Sequence, residues 1–129
     1  MNGRYLLDTN VVIAIFAEEQ AVLQRLAEAT EVFVPAAVLG ELYYGARKSK
    51  LVEENITRID EFASAAAVLG CDTATAKQYG WIKNDLRAKG CPIPENDIWI
   101  AAVARQYGLD VVSRDDHFRD IANLGVEVW

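Results

Sequence analysis

Tyr5-Leu6-Leu7-Asp8-Thr9-Asn10 is the segment that decides the fold, because a short apolar run ends there in polar residues. A continuous aliphatic run of this length is typical of a parallel strand that is covered on both faces. Asp8 then lies at the carboxyl end of the strand, and open α/β sheets bind ligands at that edge. The alternative is that Asp8 or Asn10 only caps the helix expected over residues 11–17.

The rest of the chain alternates between helical and strand patterns. Apolar residues at steps of three and four predict helices over residues 18–29, 36–48, 51–65, 73–89 and 95–107. Short apolar runs predict strands at residues 32–34, 66–69, 109–112 and 126–128. This alternation requires parallel crossovers, so the predicted fold class is α/β, a three-layer α/β/α sandwich with a mostly parallel central sheet.

Length and composition limit the chain to one globular domain over residues 1–129. It has 129 residues, 52% of them hydrophobic, and only 3 prolines. Its uncharged apolar runs are too short to span a membrane, and no targeting segment is evident, so a cytoplasmic location is expected. The 2 cysteines lack a metal-binding spacing and are expected to be reduced.

The acidic net charge limits the classes of function that the protein can have. At -6 it excludes a protein that coats nucleic acid with a basic surface, because such a surface must displace counterions. Two situations fit an acidic balance: an ordinary solvated surface, or carboxylates gathered around cations that the charge count leaves out.

Four acids lie on elements that the predicted fold brings towards one edge. Asp8 ends the first strand, Asp97 opens the last long helix, and Asp115 follows the fourth strand. Glu41 lies on a helix among apolar neighbours, where an unpaired acid is costly. Each has an ordinary explanation taken singly, as a first-turn acid, a turn residue or a residue on a solvated face.

Together, these acids predict a metal site, because like charges repel unless a cation offsets them. Oxygen ligands without a matching His or Cys cluster favour Mg²⁺ or Mn²⁺, and the number of ions stays open. Such a site suits phosphodiester hydrolysis by water, which leaves a 5′-phosphate. The candidates for orienting water or phosphate are Thr9, Asn10, Ser113 and Arg114. A 2′-hydroxyl route with a pair of histidines as acid and base is disfavoured, because the chain has 1 histidine, His117. That histidine is expected to be a loop or packing residue.

Four motifs, taken in order, resemble a known family. They are Leu7-Asp8-Thr9-Asn10, the run Glu41-Leu42-Tyr43-Tyr44-Gly45-Ala46 with Ser49 soon after, Asn96-Asp97, and Ser113-Arg114-Asp115-Asp116-His117-Phe118. This pattern is similar to PIN-domain ribonucleases, more narrowly to VapC toxins of toxin-antitoxin pairs, and it covers essentially the whole chain.

The resemblance implies a metal set and a cellular role. The implied ligands of Mg²⁺ or Mn²⁺ are Asp8, Glu41, Asp97 and Asp115, with Asp116 as the alternative at the fourth position. It also implies endoribonuclease activity on structured RNA such as tRNA or ribosomal RNA, a homodimer, and a cognate antitoxin whose tail covers the site.

Two rival functions stay open. A haloacid-dehalogenase-like phosphatase would use Asp8 as nucleophile, although the second acid such sites carry two residues on is replaced here by Asn10. A catalytically inactive interaction module would use the acids only to hold a structural cation. Metal-dependent cleavage of RNA is expected of a nuclease and of neither rival, so this assay distinguishes them.

Overall fold

The molecule is built on a five-stranded sheet, seen in a computed structural model that describes residues 3–129. Every neighbouring pair of strands is parallel, and the order is β3-β2-β1-β4-β5. The strands are β1 (Arg4–Leu7), β2 (Glu31–Pro35), β3 (Ala67–Leu69), β4 (Asp110–Val112) and β5 (Val126–Glu127). The predicted α/β fold with a parallel central sheet is confirmed.

The helices also follow the sequence prediction closely. They are α1 (Thr9–Phe16), α2 (Gln20–Glu28), α3 (Ala36–Arg47), α4 (Val52–Ala65), α5 (Thr73–Lys89) and α6 (Glu95–Tyr107). Helix α1 begins two residues earlier than expected, directly after Asp8, whose extended backbone occupies the N-cap position. A 3₁₀ helix, Asp116–Asp120, follows β4 in a segment for which the sequence predicted no helix.

The strand order creates the crevice in which the site lies. From β1 the chain builds outward through β2 and β3, then returns to place β4 on the other side of β1. Loops that leave the carboxyl ends of β1 and β4 therefore diverge, and such a topological switch point leaves room for a ligand. Leu7 pairs with Val112, so Asp8 and Ser113 are the next residues on the two strands.

Helix α6 is the most deeply buried helix among the described residues. Ile98 and residues 100–104 are almost fully covered, and several of them are alanines that allow close packing. A helix this buried has little freedom to move, so Asp97 in its first turn has a firmly placed backbone. Within residues 3–129, no helix combines the length and apolar character that crossing a membrane requires.

The 3₁₀ helix is anchored by Phe118, which is fully buried. We expect Phe118→Ala to destabilise the protein by about 3–5 kcal/mol, because it removes a large core side chain and leaves a cavity. Urea unfolding measures this loss. Tyr44→Ala is the control, since Tyr44 is 64% exposed and its truncation should change stability by no more than about 0.5 kcal/mol. Equal losses in the two variants would show that Phe118 does not anchor this segment.

Candidate active site

Asp8 is a buried acid held by a serine from the neighbouring strand. Asp8 is only 3% exposed, and its Oδ2 accepts a hydrogen bond of 2.7 Å from Ser113 Oγ. It makes no capping hydrogen bond to α1, although it occupies the N-cap position. Burial raises the pKa of Asp8, and the negative charge of Asp115 adds to this rise, while the Ser113 hydrogen bond opposes it.

Asp97 is the second buried acid, and it is paired with the histidine. Asp97 lies in the first turn of α6, is 8% exposed, and its Oδ2 lies 2.7 Å from His117 Nδ1. Burial raises the pKa of Asp97, the hydrogen bond to His117 opposes this rise, and the negative charges of Asp8 and Asp115 add to it. The hydrogen bond to Asp97 raises the pKa of His117.

Asp115 completes a group of three converging side chains. One ligand atom each from Asp97, Asp115 and His117 lie within 4.8 Å of one another. The backbone N–H of Asp115 donates to Ser113 Oγ at 3.0 Å, so the hydroxyl that holds Asp8 also places Asp115. The structure thus brings the predicted acids Asp97 and Asp115 together, and it places Asp8 close enough for its charge to raise the pKa of Asp97.

Glu41 lies beside this group and not within it. Of the two interpretations of Glu41, the solvated face is the one that the structure shows, because its side chain is exposed at the surface of α3. Its Oε2 accepts from Thr9 Oγ1 at 2.6 Å, and its Oε1 accepts from Asn96 Nδ2. Thr9 follows Asp8 and Asn96 precedes Asp97, so Glu41 is tied to the neighbours of both buried acids.

The two adjacent acids after β4 have different surroundings. The Asp116 side chain is 84% exposed and lies 3.6 Å from Arg119 Nε, and Asp116 is outside the converging group. Asp115 precedes the 3₁₀ helix and turns towards Asp97. This geometry favours Asp115 as the fourth acid.

Asn10 and Arg114 join the loops that follow β1 and β4. The Arg114 backbone N–H donates to Asn10 Oδ1 at 3.2 Å, and its guanidinium pairs with Glu19 at 2.7 Å. Asn10 Nδ2 lies 3.5 Å from Asp8 Oδ2. These two residues therefore brace the crevice, and Arg114 places a cation at its edge.

The residue that the sequence prediction missed is His117. It was expected to be a loop or packing residue, yet it lies on the 3₁₀ helix against Asp97. Its only signal in the sequence is its position two residues after Asp115, and only the structure shows that the 3₁₀ helix brings its imidazole to Asp97.

An apolar groove adjoins the site at Glu41. It encloses about 420 Å³ between α1, α3 and α4, and Thr9 and Glu41 stand among its lining residues. Ile13, Phe16, Leu42 and Ile59 supply apolar surface.

Comparison with known proteins gives consistent similarities over the whole chain. The family model described as the PIN domain matches residues 5–124. Among curated relatives, Ribonuclease VapC2 of Haemophilus influenzae is 39% identical, covering 98% of both chains. The tRNA(fMet)-specific endonuclease VapC of Shigella flexneri is 32% identical, again covering 98% of both chains.

Solved structures show the same similarity in three dimensions. VapBC2 from Rickettsia felis, bound to a DNA fragment from its promoter, has a TM-score of 0.90 at 30% identity, covering 97% of this chain and 98% of that one. DNA-bound VapBC from Salmonella typhimurium also has a TM-score of 0.90, at 32% identity with 98% of both chains covered.

The raised pKa of Asp8 has a consequence for stability. In protein freed of divalent cations, Asp8→Asn should raise the urea midpoint at about pH 7, because an ionised carboxylate is unfavourable at this buried position. A raised folded-state pKa imposes no penalty below the unfolded pKa of about 3.9, and the penalty grows as pH rises through the folded value. The gain should therefore be much smaller at about pH 4, close to the unfolded pKa.

Urea unfolding of the variant at both pH values measures this effect. Asp120→Asn is the matched control, since Asp120 is an exposed acid nearby on the 3₁₀ helix. If Asp8→Asn lowers the midpoint at neutral pH, then the Asp8 charge does not destabilise the fold.

Proposed function

Since this chain belongs to the PIN-domain family, among the VapC ribonucleases of toxin-antitoxin pairs, we propose that it is a divalent-cation-dependent endoribonuclease toxin. The observation that carries the cation dependence is the convergence of Asp97 and Asp115 beside buried Asp8. All three lie where the loops after β1 and β4 diverge.

The side chains present fit a divalent cation. Asp8 and Asp97 are buried, and burial together with neighbouring negative charge raises the pKa of both. A bound cation offsets that repulsion. Carboxylate oxygens suit Mg²⁺ or Mn²⁺, and Asp8, Asp97 and Asp115 would hold the ion. When bound, such an ion supplies an activated water and offsets negative charge on the phosphate.

The remaining residues of the site hold the three acids in place or orient the attacking water. Ser113 holds Asp8 and Asp115 with one hydroxyl, and His117 holds Asp97. Glu41, fixed by Thr9 and Asn96, presents an exposed carboxylate from α3 that we propose orients the attacking water. Attack by water leaves a 5′-phosphate and a 3′-hydroxyl on the RNA.

The substrate that we propose is a structured RNA, with tRNA the first to test. Two curated relatives carry names that specify tRNA(fMet), and this chain is 32% and 33% identical to them. The overall charge of -6 repels RNA, so binding is expected to need the cation. Arg114 at the crevice edge is the proposed phosphate contact, with Glu19 as its partner before RNA binds.

The proposed partner is a cognate antitoxin that occupies the apolar groove beside Glu41. The related solved structures are complexes of VapB with VapC, so a partner chain is expected here. An apolar segment lying between α1, α3 and α4 would reach Thr9 and Glu41 and cover the site. A homodimer is also proposed, from the resemblance to VapC toxins.

Asp97→Asn should abolish cleavage while keeping the fold. The substitution removes one charged oxygen from the converging group, so we expect the rate of tRNA cleavage in Mn²⁺ to fall by about a hundredfold or more. Asp120→Asn removes an exposed charge nearby and should cleave at the wild-type rate. Mapping of 5′ ends on the cleaved RNA measures the rate and the product.

An unchanged rate in Asp97→Asn would remove Asp97 from the mechanism. Cleavage in excess chelator would remove the cation requirement. A phosphorylated Asp8 trapped after incubation with a phosphate ester would instead support the phosphatase rival.

Ile13→Asp should separate toxicity from neutralisation. Ile13 is 53% exposed in the groove, and a charge there disfavours an apolar partner segment. We expect the wild-type chain to arrest growth and its small neighbouring open reading frame to restore growth. The variant should still arrest growth but resist this rescue.

Val128→Asp is the matched control, because Val128 is 56% exposed and lies outside the groove. Growth should be rescued from this variant as from the wild type. If both variants are rescued equally, the antitoxin does not use the groove.

A further inference from the structure

The converging group contains one side chain, that of His117, that could bind a metal ion through nitrogen. His117 stands with Asp97 and Asp115, and one ligand atom of each lie within 4.8 Å of the others. Donor atoms around a divalent ion at about 2.0–2.2 Å lie roughly 3 to 4.4 Å apart. Small side-chain rotations are therefore enough for all three to contact one ion.

The backbone that carries His117 is firmly placed. The next residue, Phe118, is fully buried, and Ile121 just after the 3₁₀ helix is also buried. The 3₁₀ helix packs against α6, the helix that carries Asp97. The His117 side chain is 44% exposed, so an ion that enters from solvent can reach the imidazole, and its Nδ1 lies 2.7 Å from Asp97 Oδ2.

We propose that His117 is a nitrogen ligand of this cation site, which makes the site prefer Mn²⁺ and later transition ions such as Co²⁺ to Mg²⁺. This inference rests on the proposed cation site and adds its selectivity. Imidazole nitrogen suits transition metals, whereas Mg²⁺ favours oxygen and keeps much of its water. A site made of carboxylates alone would lack this preference.

The competing interpretation is that His117 only orients Asp97 through its hydrogen bond. An outer partner of this kind also strengthens metal binding. His117→Asn separates the two roles, because the Asn amide places an N–H donor near the position of Nδ1 but is a poor nitrogen ligand. Asp120→Asn is the control for a change on the same 3₁₀ helix that leaves the converging group intact.

Pulsed electron paramagnetic resonance of tag-free protein loaded with Mn²⁺ tests the proposal directly. The chain has 1 histidine, so any imidazole ¹⁴N coupling to the ion identifies His117. We expect this coupling in the wild type and in Asp120→Asn, and its loss in His117→Asn. By calorimetry, His117→Asn should weaken Mn²⁺ binding by about tenfold or more and leave Mg²⁺ binding nearly unchanged.

Three results overturn the proposal: no imidazole coupling in the wild type, no Mn²⁺ binding at all, or full Mn²⁺ affinity in His117→Asn. Its failure is distinguishable from failure of the nuclease function. RNA cleavage without ¹⁴N coupling rejects the nitrogen ligand alone, whereas coupling without RNA cleavage rejects the nuclease and leaves the ligand in place.

Discussion

The buried hydrogen bond from Ser113 to Asp8 joins the ends of two neighbouring strands that are 105 residues apart in the chain. An ionised carboxylate at this depth is costly without such a donor. The same hydroxyl accepts the backbone N–H of Asp115, so one serine sets the positions of two acids. The register of β1 against β4 makes this contact possible, and the rest of the site depends on it.

The site is therefore built at some cost to stability. Asp8 and Asp97 have pKa values raised by burial and by neighbouring negative charge, which means that their ionised forms oppose folding. Apolar packing around the site offsets this unfavourable charge, because α6 is enclosed by the core and Phe118 fixes the segment after β4. Cation binding requires concentrated negative charge on a rigid backbone. The same charge therefore lowers the stability of the fold and supports the proposed function.

Glu41 links the acidic crevice to the apolar groove. It is exposed, tied to Thr9 and Asn96 on one side, and lines the groove between α1, α3 and α4. A partner that fills the groove would necessarily approach the crevice. The proposed catalysis and the proposed inhibition therefore share one residue, and neither needs a conformational change to influence the other.

The sequence by itself determined the helices, the strands and the parallel sheet, because apolar periodicity depends on neighbours within one or two turns. It also placed Asp8, Asp97 and Asp115 at element ends facing one edge. Only the tertiary structure decided the strand order, the exposure of Glu41 and the pairing of His117 with Asp97. These depend on packing between residues far apart in the chain, and local pattern carries no information about such distances.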